Sequence, residues 1–256
     1  MPRCRPARAG RRTTWWFNLG NTHAWAATIV ETGAAAPEQD DGPRSRRPRA
    51  VADWYASKAE DLFAVLRAVE PDAPCWNFVG RREMAGFWSR RQTHETGMHL
   101  IDLLQSTPPG RAGAAPELDA PIRPALAADG VAEVLEVFLP RMHTRGYAAS
   151  LDAPLVLRCT DVDHAWTLTP VVADAPPAVT PGEAADSALR GHLPGRHVQV
   201  DHDAETARSS PVDEVAGSSA TLWQLLWKRV PLEGAGVALT GDADRIGRFL
   251  GSRLTA

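Results

Sequence analysis

The chain has few residues of several kinds, and each shortage excludes a class of protein. Its three cysteines, Cys4, Cys75 and Cys159, form no CxxC pair and no zinc-ribbon spacing, so we expect no disulfide framework. No apolar run approaches the length that spans a bilayer, and the Arg-rich amino terminus lacks the apolar segment of a secretory signal. We therefore expect a cytoplasmic protein with no membrane partner.

Lysine is also scarce, since it occurs only at Lys58 and Lys228, and arginine supplies nearly all of the positive charge. The formal net charge of -3 gives no indication of a nucleic-acid partner.

A hydrophobic content of 44% with 23% charged residues is typical of a soluble globular protein. A length of 256 residues allows one large domain or two ordinary ones.

Hydrophobic periodicity predicts four helices in the first part of the chain. They are expected at about 14–30, 49–69, 81–105 and 125–141, and Pro140 and Gly146 mark the end of the last one. Segments rich in Pro and Gly, 34–48 and 107–124, are predicted to be loops. Four helices with long connections predict an irregular four-helix bundle over residues 1–148, in which sites form between facing helices.

The pattern changes after about residue 150. Residues 155–160 and 165–169 predict a β-hairpin, and weaker strand patterns occur at 197–200 and 205–208. A helix at 218–227, a strand at 236–240 and a last helix at 242–254 complete the prediction. Residues 151–256 are therefore expected to form a small α+β domain.

The third predicted helix carries the strongest functional pattern. Glu95 and His99 are four residues apart and Asp102 follows three later, so the three side chains share one helix face. A carboxylate and an imidazole on one face can bind a common divalent metal. The same spacing also occurs in solvent-exposed pairs, and Arg90 and Arg91 offer ion-pair partners, so both interpretations are open at this point.

Several segments resemble the mycothiol-dependent maleylpyruvate isomerase family, from about Leu19 to the carboxyl end. The most specific is Arg-Arg-x-x-His-Glu-Thr-x-x-His, which starts at Arg90 and ends at His99. Supporting segments are 19–26, 87–102, 128–133, 160–161 with Trp166, 217–222, 226–229 and 240–242. The resemblance implies a DinB-like metal-binding helical bundle followed by an α+β domain similar to sterol carrier proteins.

The resemblance also implies a divalent metal, zinc, held by three side chains. Glu95 and His99 match two of the family's ligands. The third should be a His directly before the Leu-Gly of the first helix, but Asn18 stands there, and Asn is a weak neutral ligand. His23 matches a different family position and is rotated away from Asn18 on a helix, so it is at best a weak substitute.

The implied function is that of a metal-dependent, mycothiol-using isomerase or thiol transferase acting on a small electrophilic substrate. In such an enzyme the metal binds the thiol of mycothiol and lowers its pKa, and the thiolate adds to an electrophilic carbon. Arg229 is a candidate catalytic and cofactor-binding residue, because Arg binds carboxylates through paired hydrogen bonds. Arg91 is a second cofactor-binding candidate. Structural ion pairs are the alternative for both arginines.

Two other functions fit the same residues. The first is a non-catalytic binding protein with a degenerate metal site, which the loss of the ligand at Asn18 favours. The second is a metal-dependent hydrolase that uses no thiol cofactor.

The first 18 residues depart from the family, which usually begins with a Cys-Pro-Gly-Trp turn. Permitted codons for this segment, read in another frame, can spell Cys-Pro-Gly-Trp, and removing one base near the Asn18 codon restores His-Leu-Gly. We therefore hypothesise that residues 1–18 are a frame-shifted translation; the alternative is a divergent paralogue that has lost the ligand. The nucleotide sequence tests this, and the hypothesis fails if no single-base change recovers the family reading.

Overall fold

The computed structural model is an α-plus-β structure with two compact units, Met1–Leu118 and Asp119–Ala256. It describes residues 12–38, 42–43, 45, 47–80, 83–106, 122–147, 149–172, 196–202 and 212–255. No helix in these ranges is long and apolar enough to cross a membrane. The predicted domain boundary near residue 148 differs from this division, and the domain assignment stays a prediction, as does the DinB-like four-helix bundle.

The first unit contains three of the predicted helices: α1 (Arg12–Thr32), α2 (Pro48–Ala68) and α3 (Gly86–Gln105). Helix α3 begins five residues later than predicted. Cys75 and Ala85 donate backbone hydrogen bonds to the carbonyls of Glu83 and Ala73, at 3.0 Å each. This short bridge holds the chain just before α3, and the helix begins after it, at Gly86.

An aromatic cluster holds α1 against α3. The ring of Trp25 in α1 meets that of Trp88 in α3 edge to face, with centroids 5.1 Å apart. Trp88 is fully buried, and its indole nitrogen donates to the carbonyl of Trp76 at 2.7 Å. Phe78 and Phe87 pack edge to face against the same indole. The buried aromatic surface therefore fixes which face of α3 points inward.

In the second unit, one predicted helix consists of three helical segments: α4 (Pro124–Glu133), a π-helical turn (Val134–Phe138) and α5 (Leu139–Thr144). Pro140 was expected to mark its end, and this is wrong, because the helix continues through it. A proline has no N–H and its ring clashes with the carbonyl four residues earlier in a regular α-helix. The wider π turn precedes Pro140, with the N–H of Leu139 bonded to the carbonyl of Val134.

A five-stranded sheet with the order β3-β2-β1-β4-β5 forms the rest of the second unit. Its elements are β1 (Leu155–Cys159), β2 (Ala165–Val172), β3 (Arg196–Asp201), β4 (Asp213–Gly217), α6 (Ser219–Leu226), β5 (Ala238–Thr240) and α7 (Ala243–Gly251). β1 pairs in parallel with β4, and the other neighbours are antiparallel. The predicted hairpin, the strand at 197–200, the strand at 236–240 and both helices are confirmed. The predicted strand at 205–208 lies outside the described residues, and β4 was not predicted.

Two aspartates, Asp161 and Asp213, attach helices to this sheet. Asp161 accepts hydrogen bonds from the backbone N–H and the hydroxyl of Ser219 at the start of α6, at 2.9 and 3.0 Å. Asp213 in β4 accepts from Arg245 of α7 at 2.6 Å and from the N–H of Asp242 at 2.8 Å. The hydrogen bond from Arg245 holds the pKa of Asp213 below its usual value. The Thr160-Asp161 and Gly217-Ser218-Ser219 segments thus have a structural role.

Helix α4 packs closely against α6. A β-carbon built at Gly130 would lie 2.5 Å from the indole of Trp223, which is fully buried. Overpacking of this kind costs about 1–3 kcal/mol, more than the ~1 kcal/mol that Ala gains over Gly in a helix. We therefore expect Gly130→Ala to lower the free energy of unfolding, measured by urea denaturation.

The matched control is Gly247→Ala in α7, where a β-carbon would meet nothing within 4 Å. It should raise the free energy of unfolding by about 0.5–1 kcal/mol, because Ala is the better helix former. Equal stabilisation by both changes would contradict the close packing of Gly130 on Trp223.

Candidate functional site

The inward face of α3 carries a row of alternating charges, which we call the charged row: Arg91, Glu95, His99 and Asp102. The spacings of four, four and three residues place them along one side of the helix. Arg91 is buried, with 6% of its side chain exposed, and Asp102 has 12% exposed. The aromatic cluster fixes the rotation of α3 about its axis, so this face stays directed inward. Its polar side chains therefore need hydrogen-bond or ion-pair partners within the structure.

The members of the charged row contact one another in sequence. A guanidinium nitrogen of Arg91 donates to Oε2 of Glu95. Oε1 of Glu95 lies 3.2 Å from Nε2 of His99, and Nδ1 of His99 lies 3.3 Å from Oδ2 of Asp102. Both carboxylate oxygens of Glu95 are therefore engaged, and both ring nitrogens of His99 face carboxylates.

These contacts fix the protonation of the row. Burial alone would raise the pKa of Glu95, but the hydrogen bond from His99 and the charge of Arg91 lower it to about 2. Burial alone would lower the pKa of His99, but its hydrogen bonds with Asp102 and Glu95 raise it to about 9. At neutral pH Glu95 is an anion and His99 a cation.

A second polar pair lies beside the row and joins α1 to α3. Nδ1 of His23 lies 2.7 Å from Oε1 of Gln92, and both residues are buried. Burial lowers the pKa of His23, while the charge of Glu95 raises it and that of His99 lowers it. An imidazole that is neutral at pH 7 and donates from Nδ1 keeps its lone pair on Nε2. The amide nitrogen of Gln92 is buried with no hydrogen-bond partner in the described part of the chain.

Asn18, which stands at the predicted third ligand position, is exposed on α1, and its backbone carbonyl accepts from the hydroxyl of Thr22 at 3.0 Å. The next residue, Leu19, is buried and lines a cavity of about 40 Å³ together with His99. The other lining residues are Trp16, Tyr55, Thr96, Leu100 and Leu103. This cavity is mostly apolar and large enough for a small group only.

The candidate metal ligands of the first unit lie on α1 and α3. Across the described ranges, no group of three His, Cys, Asp or Glu side chains is placed to hold a metal ion. A zinc ion shared by Glu95 and His99 would replace the contact of Oε1 with Nε2 and displace the proton from the imidazole, and Arg91 could stay on Oε2. The role of Glu95 and His99 as metal ligands stays a prediction, as does that of His23.

The two predicted arginines lie in different units. Arg91 belongs to the charged row, where its partner is Glu95. Arg229 follows α6 in the second unit, where Nη1 donates to the carbonyl of Trp227 at 2.9 Å. Their cofactor-binding roles stay predictions. The sequence analysis missed Gln92, whose only signal is its position one turn before Glu95, and gave no role to Lys228.

The comparisons with known proteins give one result. Residues 19–104 match the family model described as the mycothiol maleylpyruvate isomerase N-terminal domain. The match covers about a third of the chain, from within α1 to the end of α3, and starts directly after Asn18. No curated protein and no solved structure matches the chain.

The charged row can be tested by a double-variant cycle. Removing one member of a buried ion pair leaves an uncompensated charge and costs about 3–5 kcal/mol. We therefore expect Arg91→Met to lower the free energy of unfolding by about 3 kcal/mol, and Arg91→Met combined with Glu95→Leu to recover most of that loss. Urea denaturation at neutral pH measures both.

The matched control is Arg49→Met in α2. Arg49 and Asp53 have the same i,i+4 spacing, but their side chains are 90% and 63% exposed. Exposed pairs contribute about 0–1 kcal/mol, so this change should have little effect. If Arg91→Met costs no more than Arg49→Met, the ion pair of Arg91 with Glu95 does not stabilise the buried face of α3.

Proposed function

We propose that this protein is a mycothiol-related small-molecule-binding protein whose charged row stands in place of a complete metal centre, because residues 19–104 match the mycothiol maleylpyruvate isomerase N-terminal domain model. The observation that carries this proposal is the double engagement of Glu95 by Arg91 and His99. Each oxygen of Glu95 already has a hydrogen-bond partner, and a metal shared by Glu95 and His99 would replace the contact of Oε1 with Nε2.

The balance of charge in the row supports the same proposal. A zinc site with a neutral His and a carboxylate leaves positive charge for an anionic thiolate to neutralise. In the charged row, the cations of Arg91 and His99 already compensate the carboxylates of Glu95 and Asp102. The row therefore stabilises α3 by itself and does not require a metal to do so.

The cavity beside His99 suggests which part of a ligand the first unit binds. Apolar side chains from α1 and α3 line it, and Tyr55 of α2 closes one side. A volume of about 40 Å³ accommodates a small end group, such as the thiol-bearing end of a cofactor or the reactive end of a small electrophile. The remainder of either molecule would stay outside the cavity.

A second function, the metal-dependent mycothiol-using isomerase or transferase, is favoured by the position of His23. Its imidazole is neutral at pH 7, is buried on α1, and lies near enough to Glu95 and His99 for their charges to shift its pKa. These three side chains come from two adjacent helices, as the ligands of a bundle metal site do. The zinc content of the purified protein separates the two functions.

Replacing the residue before Leu19 tests the metal assignment. We expect the chain as it stands to hold well under one equivalent of zinc, because two protein ligands bind zinc poorly. Asn18→His should supply the third ligand and raise the content to about one equivalent. Metal analysis after dialysis against excess zinc and then against buffer measures both.

Asn18→Ala is the matched control, since it changes the same position without adding a ligand. It should hold as little zinc as the unchanged chain. Tight zinc at one equivalent in all three proteins would contradict the binding-protein proposal and show that position 18 is not the missing ligand. In that case, loss of zinc in His23→Ala would identify His23 as the third ligand.

A further inference from the structure

Lys228 ends helix α6 in a backbone conformation that favours glycine. It has φ of +59° and is the one non-glycine residue with positive φ among the described residues. The N–H of Lys228 donates to the carbonyl of Leu225 at 3.0 Å. The N–H of Arg229 donates to the carbonyl of Gln224 at 2.8 Å. These two bonds form a Schellman motif, in which the left-handed position is usually Gly. A non-glycine residue in this left-handed conformation lowers the free energy of unfolding by about 1–2 kcal/mol relative to glycine.

The side chain of Lys228 carries a second cost. Its ammonium nitrogen is buried and has no hydrogen-bond partner within the described ranges. Burial lowers the pKa of Lys228 to about 8. A Lys at a helix end ordinarily bonds the last carbonyls or reaches solvent. Here the ammonium does neither.

Glycine at position 228 would remove both costs, so the fold itself gives no reason for a lysine. Backbone strain and unsatisfied buried groups persist where they serve binding or catalysis. We propose that the ammonium group of Lys228 binds the carboxylate of a small organic acid in the second unit. This site is independent of the function proposed for the first unit, because none of its residues belongs to that unit.

The charge of Lys228 selects the class of ligand. A single ammonium matches the single negative charge of a carboxylate, whereas a phosphate carries nearly two charges and needs further donors. A monocarboxylate therefore matches the single charge of Lys228 better than inorganic phosphate does.

Thermal unfolding of four proteins with three anions tests the proposal. The proteins are the unchanged chain, Lys228→Gly, Lys228→Met and Lys58→Met, and the anions are butyrate, acetate and inorganic phosphate, with sodium chloride at matched ionic strength as the reference. Without ligand, Lys228→Gly should have a Tm higher by about 2–4 °C, because the strain is relieved. Butyrate at ten times its dissociation constant should raise the Tm of the unchanged chain by about 3 °C.

The variants make the outcome decisive. Lys228→Met keeps the strain and the apolar stem but lacks the ammonium, so butyrate should not stabilise it. Lys58→Met removes the other lysine, from a surface ion pair in α2, and should retain the full response to butyrate. A Tm of Lys228→Gly below that of the unchanged chain would overturn the proposal. Equal butyrate shifts with and without Lys228, or a response to phosphate or chloride alone, would overturn it as well.

Discussion

The ion pair between Arg91 and Glu95 is the interaction on which the arrangement of the first unit depends. The aromatic cluster turns one face of α3 inward, and that face carries a carboxylate that cannot stay buried without compensation. The hydrogen bond from His99 and the charge of Arg91 lower the pKa of Glu95, and the hydrogen bonds of His99 with Asp102 and Glu95 raise the pKa of the imidazole. Each charged side chain in the row stabilises the charge of its neighbour, so the four side chains form one electrostatic network.

Most of the helices and strands could be predicted because their apolar periodicity agrees with their burial. The exceptions arise where a non-local contact decides the local structure. The residues before Gly86 pair with 73–75, and the π turn before Pro140 lets a helix pass a residue that normally ends it. Strand β4 begins with Asp213 and Glu214, which are typical of a loop until Arg245 is placed beside Asp213 and Arg158 beside Glu214.

The candidate site could be predicted only as far as it lies on one helix. The spacing of Glu95 and His99 identified the face and offered Arg91 as an ion-pair partner, but it did not decide between the ion pair and a metal. The His23–Gln92 contact joins residues 69 positions apart, which no local pattern specifies. The only sequence signal at Lys228 is that lysine is rare in this chain, because backbone strain cannot be predicted from the sequence. The family match covers residues 19–104, and the aberrant origin of residues 1–18 stays a hypothesis.

The parallel pairing of β1 with β4 has a consequence for how the second unit forms. These strands lie side by side at the centre of the sheet, yet the whole of β2 and β3 and their connections separate them along the chain. Closing so long a loop costs conformational entropy before the strands gain any contact, and such topologies fold slowly. In the first unit the main helix contact joins α1 to α2, which are neighbours along the chain, and this unit leaves the ribosome earlier.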